Sequence, residues 1–229
     1  MIKVVIFDLD NTLTDFMRMK ESAVDAAVDA MIDAGLRTPP DELKKKIYEV
    51  YDIKGIEFQS VFDQVLEELL GSVDHKALAA GVVAYRRAKE AALVLYPHVR
   101  LTLTELVKRG IRLAVISDAP RKEGWLRLCY LQLHHMFDMV LTFDDTGERK
   151  PSPVPFQQVL QHFQIEPNQA IMVGDWPERD IEGATQVGIN TVFARYGDTT
   201  GITDSGARYE IDDIMDLVEI VDSLNFQTS

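Results

Sequence analysis

Two aspartates, Asp8 and Asp10, stand two residues apart at the end of an apolar run, Ile2 to Phe7. Ser117 and Asp118 follow a second run, IRLAVI. Lys150 comes eight residues after Thr142, which closes a third, and Asp175 directly follows AIMVG, with Asp180 beyond it. Taken singly, each has a plain structural explanation, because Asp and Ser side chains cap the helix that follows a strand. Taken together, two neighbouring carboxylates, a hydroxyl, a lysine and a further acid pair supply what phosphoryl transfer requires: hard oxygen ligands for magnesium, a nucleophile and clamps for phosphate. The grouping has meaning only if the fold brings the four segments to one place.

The elements around these residues predict that it does. Ile2 to Phe7 is a β-branched apolar run of the kind buried on both faces of a parallel sheet. From about Phe16 to Leu95 the spacing becomes helical: one segment ends at Gly35, a second opens at Pro39 and Pro40, a third ends at Gly71, and a fourth runs from about Lys76 to Val94. After Pro97, helix and strand alternate. Leu101 to Arg109, Gly124 to His134, Pro155 to Phe163, Glu178 to Val187 and Ile214 to Leu224 read as helices, and strands end at Ser117, Thr142, Asp175 and Arg195. Strands separated by helices of this length imply right-handed crossovers and a doubly wound α/β sheet, here interrupted by an all-helical insert. The expected division is a core of residues 1–15 and 96–229 and an insert of 16–95. Open α/β sheets bind ligands beyond the carboxyl ends of their strands, and the segments carrying the acids, the serine and the lysine converge there.

Composition narrows the partners. A net charge of −13 disfavours nucleic acid and anionic membrane surfaces, both of which are bound through Lys/Arg clusters. No apolar run approaches the roughly 20 residues of a membrane span, and the N-terminus lacks a signal-peptide layout, so a cytoplasmic location is expected. Cys129 is the only cysteine, which excludes an intrachain disulfide and a cysteine-based zinc cluster. Its setting, WLRLCYLQL, predicts a buried structural thiol. The five histidines are scattered outside these segments and carry no assigned role.

DLDNT at Asp8 to Thr12, SD at Ser117, KPSP from Lys150 and GDWPERD from Gly174 to Asp180 resemble, in order and spacing, the four motifs of the haloacid dehalogenase-like hydrolases. The helical insert resembles that superfamily's C1-type cap, and the resemblance covers nearly the whole chain. It implies a phosphatase of small phosphorylated metabolites. Asp8 would be the nucleophile, Asp10 the general acid and base, and Lys150 a neutralising cation. Asn11, Ser117, Asp118 and Lys150 would meet the phosphate. Mg2+ would be held by Asp8, the backbone carbonyl of Asp10, and Asp175. Asp180 would orient Lys150 or a metal-bound water, with Thr12 and Gly174 in support.

Three rivals share this frame. A dehalogenase would give an acid at Asp10 no task, since halide leaves unprotonated. A phosphomutase of the β-phosphoglucomutase type keeps the same motifs, and a silent binding protein would have no use for Asp8, Asp10, Lys150 and Asp175 together. Substrate choice is expected in the insert. There the segment Asp52 to Glu57 reads as a specificity loop with Lys54 solvated, Arg18 and Lys20 open the first helix facing solvent, and Arg86 and Arg87 form a charged face. Phe58, Phe62, Leu66 and Leu69 read as insert core, and Trp176 as a wall or floor of the cavity. The pattern is also similar to archaeal-type subfamily I hydrolases, some acting on triose or sugar phosphates. Either a monomer or a homodimer is compatible with the sequence.

Overall fold

The computed structural model describes residues 1–226. Six strands form one sheet, β1 (Val4–Phe7), β2 (Arg112–Ile116), β3 (Met139–Leu141), β4 (Ala170–Gly174), β5 (Asn190–Ala194) and β6 (Tyr209–Ile211). Their order is β3-β2-β1-β4-β5-β6 and every pairing is parallel. The fold is therefore an α/β Rossmann-like sheet.

The order turns back at the centre. After β3 the chain crosses to the other side of β1, so β1 and β4 flank the switch point, where ligands bind in sheets of this kind. Phe7 is level with both Val115 and Val173, and the Asp8 N–H donates to Val173 O across 2.9 Å. The ladder thus carries Asp8 to the sheet edge in register with the ends of β2 and β4.

Alternating residues build the core on one face. Val4 and Ile6, Ala114 and Ile116, and Ala170 and Met172 pack with Phe156 and Val159 of α8 (Pro153–Phe163) and Ala184 of α9 (Glu182–Gln186). Burying a side chain the size of Phe156 contributes about 1.5–3 kcal/mol, and it has no exposed surface.

The chain divides into two compact units, Met1–Asp15 with Leu95–Ser229, and Phe16–Val94. The second consists of α1 (Phe16–Asp33), α2 (Pro40–Lys54), α3 (Val61–Leu70) and α4 (His75–Ala92). Its core includes Phe62 and Leu66, with Phe58 and Leu69 packed against them. Gly81 lets α4 lie close to α1, because a Cβ there would come within 2.9 Å of the Met31 Cγ.

Several expectations change here. Asp52 to Lys54 belong to the last turn of α2, and the loop begins at Gly55 with φ 90°. Lys54 is exposed, whereas Lys20 is buried: its ammonium donates to Ile56 O at 2.6 Å and Tyr85 Oη at 2.8 Å and lies 4.1 Å from the Tyr51 ring. Lys20 thereby ties α1 to the α2–α3 loop. The cost of burying its charge is offset by two acceptors and an aromatic face.

Helix α6 begins at Arg121 and ends at Tyr130, with Gly124 inside it. Its burial pattern is inverted. Glu123, Gly124, Arg127 and Leu128 are buried, whereas Trp125, Leu126, Cys129 and Tyr130 are exposed. Cys129 is thus an exposed thiol, contrary to the reading from its apolar neighbours.

The stretch after Asp175 is a π-turn over Pro177–Ile181 leading into the short α9. The sixth strand was not expected, because Tyr209–Ile211 is short, carries Glu210 and lies at the sheet edge.

Candidate active site

Beyond the carboxyl end of β1 the chain turns sharply. Leu13 N–H donates to Leu9 O at 3.0 Å, and Asn11 takes a left-handed φ of 56°, which asparagine tolerates. This turn presents Asp8, Asp10 and Thr12 from one loop. Thr12 Oγ1 donates to Asp175 Oδ1 at 3.0 Å, linking the loop after β1 to the end of β4.

Lys150 is the hub. It is 5% exposed, and its Nζ donates to Asp8 Oδ1, to Asp180 Oδ1 at 2.7 Å and to the Ile116 carbonyl at 3.1 Å. Asp180 has its second oxygen occupied too, accepting from Trp176 N at 3.1 Å. The π-turn makes this possible, since it swings Asp180 back over the end of β4, against Gly174. A Cβ on Gly174 would collide with the Asp180 carboxylate, so only glycine fits.

Three carboxylates, Asp8, Asp175 and Asp180, each offer an oxygen within 4.8 Å of the others. With all three ionised, Lys150 leaves an excess of two negative charges in a buried place. Burial, reinforced by Asp180, pushes the Asp175 carboxyl up to about 8. Burial likewise raises Asp8, joined by Asp180, Asp175 and Asp10, against the lowering effect of Lys150. Burial alone would lower Lys150, but Asp180, Asp8 and Asp118 hold its ammonium firmly protonated. Excess buried negative charge on hard oxygen donors is what a small divalent cation relieves, so this donor set fits one.

The other expected residues are placed as follows. Ser117 is buried, and its Oγ accepts from Ala119 N at 3.2 Å, which holds the hydroxyl at the end of β2. Asp118 accepts from Lys150 N at 3.0 Å and from Arg179 Nη1 at 3.3 Å. Its carboxylate therefore braces the lysine segment. Trp176 does not pack beneath the cavity: it is 47% exposed, with the Arg179 guanidinium 3.8 Å from its ring.

Two features escaped the sequence reading. Arg127, fully buried and the largest such side chain among the described residues, places Nη1 3.0 Å from Asp10 Oδ2. After β5, the Tyr196 hydroxyl donates to Thr12 O at 2.9 Å, and a Cβ on Gly197 would strike the Asn11 carbonyl. Burial, then Asp175, raises the Tyr196 phenol well above its usual range, so it stays a donor. A fifth segment therefore closes behind the turn. An aromatic and a glycine two and three residues past a strand are too common to have signalled it.

The family model described as haloacid dehalogenase-like hydrolase matches residues 5–194. The chain belongs to that family. It is 34% identical over 225 residues to a glyceraldehyde 3-phosphate phosphatase of Methanocaldococcus jannaschii, covering 98% of this chain and 99% of that protein. With a phosphoglycolate phosphatase of Aquifex aeolicus the identity is 31% over 200 residues, covering 86% of each. Among solved structures, a HAD phosphatase from Thermococcus onnurineus matches with a TM-score of 0.71 and 25% identity, covering 96% of this chain and 98% of that one. Among the described residues, no helix of this HAD hydrolase is long and apolar enough to cross a membrane.

Proposed function

We propose that this HAD hydrolase is a phosphatase of small phosphorylated metabolites, with a three-carbon or similarly compact phosphate ester as substrate. The observation that carries the reading is the Lys150 ammonium held between Asp8 and Asp180 inside a carboxylate cluster at the switch point of the sheet. The relatives, named as phosphatases of glyceraldehyde 3-phosphate and phosphoglycolate, support the substrate class.

In this reading an Asp8 carboxylate oxygen attacks phosphorus. The bond from phosphorus to the ester oxygen breaks, its electron pair stays on that oxygen, and Asp10 delivers the proton that makes the alcohol. Water then attacks the aspartyl phosphate and gives a proton to Asp10. The bond to Asp8 breaks, releasing inorganic phosphate and the original carboxylate. Lys150 offsets charge on the transferring group, and Ser117 and Asn11 hold its oxygens. We assign Asp118, Thr12, Gly174 and Asp180 to positioning.

Asp8, Asp175 and the Asp10 backbone carbonyl would hold Mg2+, which neutralises the repulsion between Asp8 and the phosphate dianion. We place substrate choice in the helical unit Phe16–Val94, because the residues around Asp8 address only the phosphoryl group.

The test is phosphate release from triose, glycolate and sugar phosphates, with Mg2+ and with EDTA, for the wild type and Asp8→Asn. Magnesium-dependent release that is lost in a folded Asp8→Asn variant is expected. Undiminished release by that variant, or none by the wild type on any ester, would overturn the reading.

A further inference from the structure

We infer that Arg127 is a positioning residue for Asp10, fixing the carboxylate that hands a proton to the leaving group. The inference rests on the phosphatase reading above. Arg127 lies on α6, far in sequence from the loop after β1, yet its Nη1 is 3.0 Å from Asp10 Oδ2. The guanidinium side chain is 2% exposed and the Asp10 side chain 23%. The pair therefore joins a buried anchor to a carboxylate that still reaches solvent.

The local sequence would not place Arg127 inside for packing alone. Its helix exposes Trp125, Leu126 and Tyr130 and buries the arginine with Glu123, Gly124 and Leu128. A helix that leaves its aromatic residues in water and buries a permanently charged group is oriented by what that charge meets. Gly124 supports the orientation: a Cβ there would lie 3.3 Å from Thr142 Cγ2, so α6 sits close against the start of the next helical turn, α7 (Phe143–Thr146).

What Asp10 needs is geometric. A general acid acts only within hydrogen-bond reach of the atom it serves, and its carboxylate turns easily about its last torsion. A buried guanidinium 3.0 Å from one carboxylate oxygen restrains that turning, because rotation would carry Oδ2 away from the positive charge. Asp8, by contrast, is held by Lys150. The nucleophile and the acid therefore have separate cationic supports, on separate segments.

Leaving-group dependence tests this, because a positioned acid matters only when the departing oxygen needs a proton. The readout is kcat/KM, which reports formation of the aspartyl phosphate, for 2,4-dinitrophenyl phosphate and for glycerol phosphate. Arg127→Met keeps the length and removes the charge. We expect kcat/KM on glycerol phosphate to fall about a hundredfold, as for loss of an acid, and that on the dinitrophenyl ester to stay within about threefold. Arg127→Lys should recover part of the loss, and Arg127→Met should add little to Asp10→Asn. Equal losses on both esters, or no loss on either, would overturn the inference. If Arg127→Met does not fold, Arg127→Lys carries the same comparison, and a uniform loss there counts against the role. If the wild type turns over neither ester, the alkyl arm is read on its best substrate among the triose, glycolate and sugar phosphates, and failure on every ester overturns the parent reading and this one with it.

Discussion

The hydroxyl of Thr12 donates to Asp175 Oδ1 across 3.0 Å, joining residues 163 positions apart that follow the two strands flanking the switch point. That bond orients an acid proposed to hold the metal, much as outer partners orient ligands in metal sites generally. Thr12→Val keeps the shape and removes the donor. The expected result is a modest loss of stability, about 1–2 kcal/mol by urea unfolding, with apparent Mg2+ affinity weakened about tenfold or more in activation titrations.

Lys150 is the cation paired with Asp8 and Asp180 in the cluster that includes Asp175, so its removal does more than weaken phosphate handling. Lys150→Met should destabilise the metal-free protein by about 3–5 kcal/mol, the usual effect of breaking a buried pair from one side. Added Mg2+ should recover part of that loss. Thermal scans with EDTA and with Mg2+ measure both parts, and an unchanged melting temperature would refute the placement of the charge.

Asp175 has a folded pKa raised from 3.8 to about 8. A carboxyl raised in this way favours the folded state while protonated, so its contribution is full below about pH 4 and fades as pH rises through about 8. In EDTA, Asp175→Asn should therefore remove a loss of stability that the wild type suffers over that window. A cation that needs the carboxylate should stabilise the wild type more as pH climbs. Melting temperatures with and without Mg2+ at several pH values would show a gap that widens upward.

Gly197 meets the Asn11 carbonyl and lies 3.0 Å, through its would-be Cβ, from the Asp175 Cβ. The obstacle is backbone, which cannot swing aside. Gly197→Ala should cost about 1–3 kcal/mol or more and impair turnover by displacing the loop of Asp8 to Thr12. Gly201→Ala, at a position with open space but φ of +77°, is the comparison that isolates collision from backbone preference.

Much of this arrangement was legible in the chain because it is carried by strand ends. Apolar runs that stop at Asp8, Ser117 and Asp175 announce both the sheet and the side of it where chemistry collects. Lys150 was readable through its spacing from β3. The unread features depend on tertiary placement. Arg127 sits in a stretch whose hydrophobic residues suggested the opposite burial, and the charge on Asp10 outweighs that pattern. The π-turn at Pro177–Ile181 reads as ordinary helix because the extra residue in a wide turn leaves no mark in composition. Lys20 looked solvated because its acceptors, Ile56 O and Tyr85 Oη, lie 36 and 65 residues away.

Strand β1 occupies the middle of the sheet although it is made before the other five strands. Its first neighbour, β2, begins at Arg112, and its second, β4, at Ala170. At roughly 5–20 residues per second, a ribosome takes on the order of 5–20 s to reach β2 after completing β1. For that interval VVIF has no sheet to join, while the helices of Phe16–Val94 can already pack on one another. Nascent chains stalled at residue 116 and well beyond it, with β2 outside the exit tunnel, should therefore differ in how strongly a ribosome-associated chaperone binds the β1 segment, with release coming only in the longer chain.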